Sequence, residues 1–267
     1  MKLFGGGRST AAQSADVLLR EASAHAEAQR YAEALAIWLP LAKQNVARAQ
    51  AEVGAALVAG RGVEADVTTG VAWLRSAAIA GDAMAQRMLA EAHFKGEGAA
   101  ESDTEAMRWY RLAAEQGDAE AQDMLSWMLA EGEGRTPDHA ASLRWAEAAA
   151  AQGIAASMTR IGLMHHNALG VARDSDIAVA WWRKAAALGD GDAQAMLGAA
   201  YHIGQGVGRD GVRAYAWLRR ARRAKSRLAE NFIYAVRASL DDEQIAAAEA
   251  LSDAPLEAMR DDGGGAS

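Results

Sequence analysis

The stretch AQAMLGAAYHIGQGVGRDGVRAYAWLRRA, residues 193–221, holds one copy of nearly everything that this chain repeats. An alanine-rich run ends at Gly204, a Gly-x-Gly turn spans Gly204 to Gly206, Asp210 opens a second run, and that run carries Trp217. Counting back from Trp217 in steps of 36 residues reaches Trp181, Trp145, Trp109 and Trp73, with no insertion or deletion. Three glycine series keep the same beat. Gly60, Gly96, Gly132 and Gly204 form the first, with Ala168 in the vacant place. Gly62, Gly98, Gly134, Gly170 and Gly206 form the second, and Gly81, Gly117, Gly153 and Gly189 the third. Four series with one period exclude coincidence, and such a period marks an array of stacked supersecondary units.

Each unit reads as a helix pair. Residues 49–59, AQAEVGAALVA, predict a short first helix stopped at Gly60, because glycine tolerates the left-handed backbone that closes helices. Asp66, Ser102, Asp138, Asp174 and Asp210 recur at the start of the second helix, where a side-chain oxygen can accept from an orphan backbone N–H. Ser102 and Glu105 have the spacing of a capping box. Trp73 precedes Ala77 and Ala78 by one turn, a large residue beside small ones, and the tryptophan series is expected in the core. Neither helix can bury its apolar stripe alone, whereas stacked neighbours can.

The 267 residues suffice for a substantial core without disulfides or metal. Alanine abounds and only three prolines occur, Pro40, Pro137 and Pro255, so helix is favoured nearly throughout. With no cysteine there is no disulfide, thiolate metal site or cysteine nucleophile, which fits a reducing compartment. A net charge of −7 argues against general nucleic-acid binding. MKLFGGGRST at the start has no signal-peptide core, and no apolar run approaches a membrane span. The expected location is cytoplasmic, or periplasmic if a misassigned start hides a signal.

The segments at 193–221 and 117–122 (GDAEAQ) resemble Sel-one-like repeats, relatives of the tetratricopeptide repeat. The resemblance covers residues 49–228 as five units: 49–84, 85–120, 121–156, 157–192 and 193–228. It implies an all-α fold, a right-handed α-α superhelical solenoid of stacked 36-residue helix pairs whose first helices line a concave groove. Residues 13–48 then form a tetratricopeptide-like capping pair, with Pro40 bending its second helix. Residues 229–254 form closing helices, the last starting at Asp241 with Gln244 three residues on, and Ile245 and Leu251 on its buried face. Residues 1–12 and 255–267, with Gly5 to Gly7 and Gly263 to Gly265, are expected to be flexible.

Helical spacing separates core from groove on the first helices. Val53, Leu89, Leu125, Ile161 and Leu197 fall on the core face, as do Leu57, His93, Leu129, His165 and Tyr201 one turn later. The groove strip then takes Arg87, Glu91, Phe94 and Lys95 from the second unit, and Asp123, Trp127 and Glu131 from the third. The fourth supplies Thr159, Leu163, His166 and Asn167, and the fifth His202 and Ile203. Trp127 lies outside the 36-residue series, as do Trp38 and Trp182. A tryptophan flanked by charges is the composition of a protein-binding hot spot, and the alternative for Trp127 is extra core between helices.

No catalytic constellation accompanies the repeats. The Gly-x-Gly pairs follow a helix and lack a Walker lysine, and no G-x-S-x-G, S-x-x-K or H-E-x-x-H string is present. His166 and His202 could share a metal with a carboxylate, but two histidines are weak support, so no metal or cofactor is expected. Arg219, Arg220, Arg222, Arg223, Lys225 and Arg227 read as a solvated helix face or as a docking patch for an acidic partner or anionic membrane. The resemblance implies an adaptor that holds a peptide or helix of another protein, in bacterial signalling, regulation or envelope assembly. It acts as a monomer or weak homo-oligomer, with no catalysis, nucleic acid or membrane span. The alternatives are an enzyme of the family's penicillin-binding or β-lactamase-like branch and a self-assembling structural protein.

Overall fold

The structure, a computed structural model, describes residues 10–132 and 136–259. Among these the chain is all α-helical, with one 3-10 turn and no strand. A long opening helix, α1 (Thr10–Glu27), precedes α2 (Tyr31–Lys43). Five pairs follow: α3 (Ala47–Ala59) with α4 (Val67–Ile79), α5 (Ala83–Lys95) with α6 (Asp103–Glu115), α7 (Ala119–Glu131) with α8 (His139–Ala151), α9 (Ala155–Asn167) with α10 (Ser175–Ala187), and α11 (Gly191–Ile203) with α12 (Gly211–Arg223). Each of these ten helices has 13 residues. Then come α13 (Leu228–Ala238), α14 (Asp242–Asp253) and the 3-10 turn Leu256–Met259.

The helix ends follow the local chemistry. The side chains of Asp66, Ser102, Asp138, Asp174 and Asp210 each accept from the backbone N–H three residues on. Gly60, Gly96 and Gly204 close their helices in the left-handed region, and Ala168 does so too, at φ 58°. The capping box expected at Ser102 is only half made, because the Glu105 carboxylate accepts from Arg108 at 3.4 Å. The complete box is at Asp241 and Gln244, which opens α14.

The chain divides into two compact units between Leu125 and Ser126. In the first, α1 packs on α2, α2 on α3, α3 on α4, α4 on α5 and α5 on α6. In the second, α8 packs on α9, α9 on α10, α10 on α11 and α11 on α12. Buried glutamines tie successive pairs together: the amides of Gln50, Gln86 and Gln194 donate to the carbonyls of Ala42, Ala78 and Ala186, eight residues earlier. The fourth repeat has Met158 at this place.

The tryptophan series is less buried than its period suggests. Trp109 and Trp217 are buried, whereas Trp73, Trp145 and Trp181 are only half-buried. The deepest position is one residue later, where Leu74, Tyr110, Ala146, Trp182 and Leu218 stand, and Trp38 shares that phase. The first helix opposite must be small there. A Cβ on Gly162 would lie 2.3 Å from Trp182 Nε1, and one on Gly198 2.6 Å from Leu218 Cγ. Of the predicted core, Val53, Leu89, Leu125, Ile161, Leu197, His93 and Tyr201 are buried, and Leu57, Leu129 and His165 half-buried.

The ends depart from expectation. α1 begins at Thr10, inside the segment expected to be loose, and α2 runs through Pro40 to Lys43. α14 packs on α12 rather than pairing closely with α13. Arg219, Arg220 and Arg223 of the basic run secure it, while Arg222, Arg223, Lys225 and Arg227 keep exposed surface, in line with a solvated face. Arg219 pairs with Glu249 at 2.5 Å, Arg223 with Asp253 and the Ser252 carbonyl, and Arg220 with the Ala254 carbonyl. Arg222 turns to Glu230 of α13 at 3.2 Å. Nor are residues 255–259 a tail: Leu256 and Met259, three apart, share one side of the turn, Met259 is buried, and Arg213 donates to its carbonyl at 3.1 Å. The glycines at 5–7, 134 and 263–265 lie outside the described residues.

Candidate protein-binding faces

In the first unit the charged strip residues on α5 are held in ion pairs. Arg87 is half-buried between Asp118 (Nε to Oδ2, 3.2 Å) and Glu120 (Nη1 to Oε2, 2.7 Å), so it joins two repeats rather than offering a bare charge. Lys95 donates to Glu91 at 2.5 Å, and this bond and its charge hold the ammonium above its usual range. Glu91 and Lys95 border a small cleft of about 150 Å³ over Val58, Val71 and Met88. Below them burial, helped by the Glu91 charge, pushes the Tyr110 hydroxyl well up. Phe94 and Asp123 are half-buried.

The second unit presents a cavity of about 430 Å³. Trp127, Ala130 and Glu131 of α7 line it together with Ala156, Thr159, Arg160, Leu163, Met164 and Asn167 of α9, and His139, Leu169, Asp190 and Asp192 complete the lining. Of the predicted strip, Trp127, Glu131, Leu163 and Asn167 therefore come together here. Trp127 is half-buried, a cavity wall rather than core. Thr159 reaches the cavity but is buried, its hydroxyl within 3.2 Å of the Ala155 carbonyl and 3.0 Å of Asp190 Oδ1.

His166 does not join that group. Its ring tilts against Trp182 with centroids 5.6 Å apart, and Arg173 donates to its carbonyl at 2.8 Å. Burial, seconded by the Arg173 charge, holds its pKa below the usual histidine value. His202 is half-buried and Ile203 exposed, neither lining the cavity. Among the described residues no three His, Asp or Glu side chains form a metal-binding cluster. No helix among them is long and apolar enough to cross a membrane.

Sequence reasoning missed Arg160, His139, Asp190 and Asp192. Asp190 was legible, since Asp82, Asp118 and Asp190 stand 36 or 72 residues apart, each capping a first helix. Arg160 was not. Its guanidinium lies 3.4 Å from Ser126 Oγ, which faces Ser142 Oγ at 3.2 Å, both serines fully buried where other repeats place glycine or alanine. The cavity lining thus combines an indole and aliphatic side chains with one guanidinium and three carboxylates. That mixture suits an apolar anchor residue with polar flanks.

Comparison with known proteins agrees with the architecture. The Sel1 repeat family matches residues 47–82, 83–118, 119–154, 155–190 and 191–226, each two residues ahead of the unit counted from tryptophan. Among solved structures, c5321, a protective antigen of uropathogenic Escherichia coli displaying an SLR fold, is 30% identical with a TM-score of 0.81. The match covers 90% of this chain but 53% of that one, so the chain spans about half the antigen's length. A Sel1 repeat protein from Oxalobacter formigenes is 30% identical with a TM-score of 0.71, over 77% of this chain and 85% of that one. No curated protein matches.

Proposed function

The chain belongs to the Sel1 repeat family, commonly protein-interaction scaffolds, and from that premise we propose a non-catalytic adaptor that holds a peptide or helix of another protein against the second unit. The observation carrying this reading is the half-buried Trp127 in the wall of the 430 Å³ cavity, whose lining also includes Leu163, Arg160 and the carboxylates of Glu131, Asp190 and Asp192. A large rigid aromatic surrounded by polar groups is the kind of anchor that dominates binding energy at protein interfaces. Both solved structures that it resembles are bacterial, and the adaptor is accordingly assigned to bacterial signalling, regulation or envelope assembly as part of this proposal.

The test is affinity capture from native lysate with three folded baits: wild type, Trp127→Ala, and Glu91→Gln/Lys95→Gln in the first unit. A partner held by the wild type and the first-unit variant, but lost with Trp127→Ala, is the expected result. Equal recovery on all three baits overturns the reading.

A further inference from the structure

Where the 3-10 turn Leu256–Met259 meets α10 and α12, a cavity of about 350 Å³ opens. Arg183, Lys184, Ala187, Trp217, Leu256 and Met259 line it. Every charge on this lining is positive, and the remaining described walls are aliphatic or aromatic. Arg183 also donates to the Tyr201 hydroxyl at 3.3 Å. Lys184 holds its ammonium 4.1 Å from the centre of the Trp181 ring and has no carboxylate partner among the described residues. An aromatic face steadies such a cation without neutralising it.

Trp217 supplies the second observation. It is 5% exposed, and its indole N–H meets no acceptor. A buried donor in apolar surroundings is unfavourable unless something accepts from it. Trp109, at the same repeat position, shares the unmet N–H, so the donor alone marks nothing. At Trp217 the folded-back turn adds an apolar chamber with a cation at its edge.

We propose that this cavity binds an apolar monocarboxylate of the medium-chain fatty acid kind. The hydrocarbon lies among Ala187, Leu256 and Met259, and the carboxylate meets Lys184 and the Trp217 N–H. A hydrocarbon alone leaves the ammonium and the N–H unused, and a phosphate dianion leaves the apolar walls of Ala187, Leu256 and Met259 uncovered.

The experiment is calorimetric titration of the full chain with octanoate, octanol and acetate, with thermal melts on the same samples. Octanoate is expected to saturate one site and raise the melting temperature, with octanol and acetate each weaker by about tenfold or more. Lys184→Met, which keeps the apolar stem, should weaken octanoate by about tenfold, and Lys184→Arg should restore it. Leu256→Trp should fill the chamber and abolish binding in a protein that still melts cooperatively. Octanol binding as tightly as octanoate, or a folded Lys184→Met that titrates like wild type, overturns the proposal. So does the absence of any saturable octanoate binding to the wild type.

Discussion

α5 and α9 occupy the same place in their repeats and have the same length, yet their outer faces are built differently. On α5 the charges are spent internally, Arg87 on Asp118 and Glu120, Lys95 on Glu91. α9 instead faces the larger cavity, about 430 Å³ against about 150 Å³ for the cleft beside α5. It has also lost three of the repeat's own devices: Ile154 replaces the capping aspartate, Met158 the tying glutamine, and Ala168 the closing glycine. The other repeats show what those devices hold, since Gln86 reaches the Ala78 carbonyl and Gly96 closes α5 without strain. The periodic residues serve stacking, and the cavity beside α9 lies where three of them give way.

The comparison is broken most severely from below. Trp182 is the largest fully buried side chain and packs against Gly162 of α9. Trp182→Ala should cost about 3–5 kcal/mol by chemical denaturation, and a clearly smaller loss is expected for the half-buried Trp127→Ala. Equal losses would erase the distinction between repeat core and cavity wall.

A second change makes α9 more like α5. Met158→Gln restores a donor toward the Ala150 carbonyl, and Ala168→Gly relieves a left-handed alanine. Together they should raise stability by about 1–2 kcal/mol in a denaturant titration, the larger share from relief at Ala168. If the double variant gains nothing, these departures from the repeat are not strains.

The smallest effect concerns His166. Its folded pKa lies below the usual value, chiefly through burial, so the unfolded chain takes up the proton first. The stability this group contributes is therefore complete above pH about 6.5 and is lost as pH falls through the folded value. Comparing urea midpoints with a His166→Gln variant should show a slightly shallower decline in the variant over that window. The Lys95 ammonium is held above its usual range, so the same scan on Lys95→Gln should match wild type.

The fold was legible because it is written redundantly. Five tryptophans, three glycine series and five capping residues all report one period, and any one would have sufficed. Its finer phase was not. Trp73 and Trp181 mark the repeat, but Leu74 and Trp182 occupy its core, and only the close approach of Gly54 and Gly162 decides between adjacent residues. The strip was half legible. Trp127, Glu131, Leu163 and Asn167 line one cavity, as helical spacing suggested, because their neighbours are fixed by the repeat. Arg87 and His166 went elsewhere because partners distant in sequence, Asp118 and Trp182, drew them in. The pairing of Arg219 and Arg223 with α14 was illegible for the same reason, as Glu249 and Asp253 sit far along the chain.

Ten helices of one length, α3 to α12, also have a genetic consequence. Because 36 residues return the backbone to an equivalent point, unequal crossing-over between two repeats deletes or duplicates a whole unit and leaves the surviving junctions in register. Array length is then an easily inherited variable, while a lone inserted residue within a helix shifts its stripe off the core. Selection can lengthen such a protein in one step and still read the same interfaces.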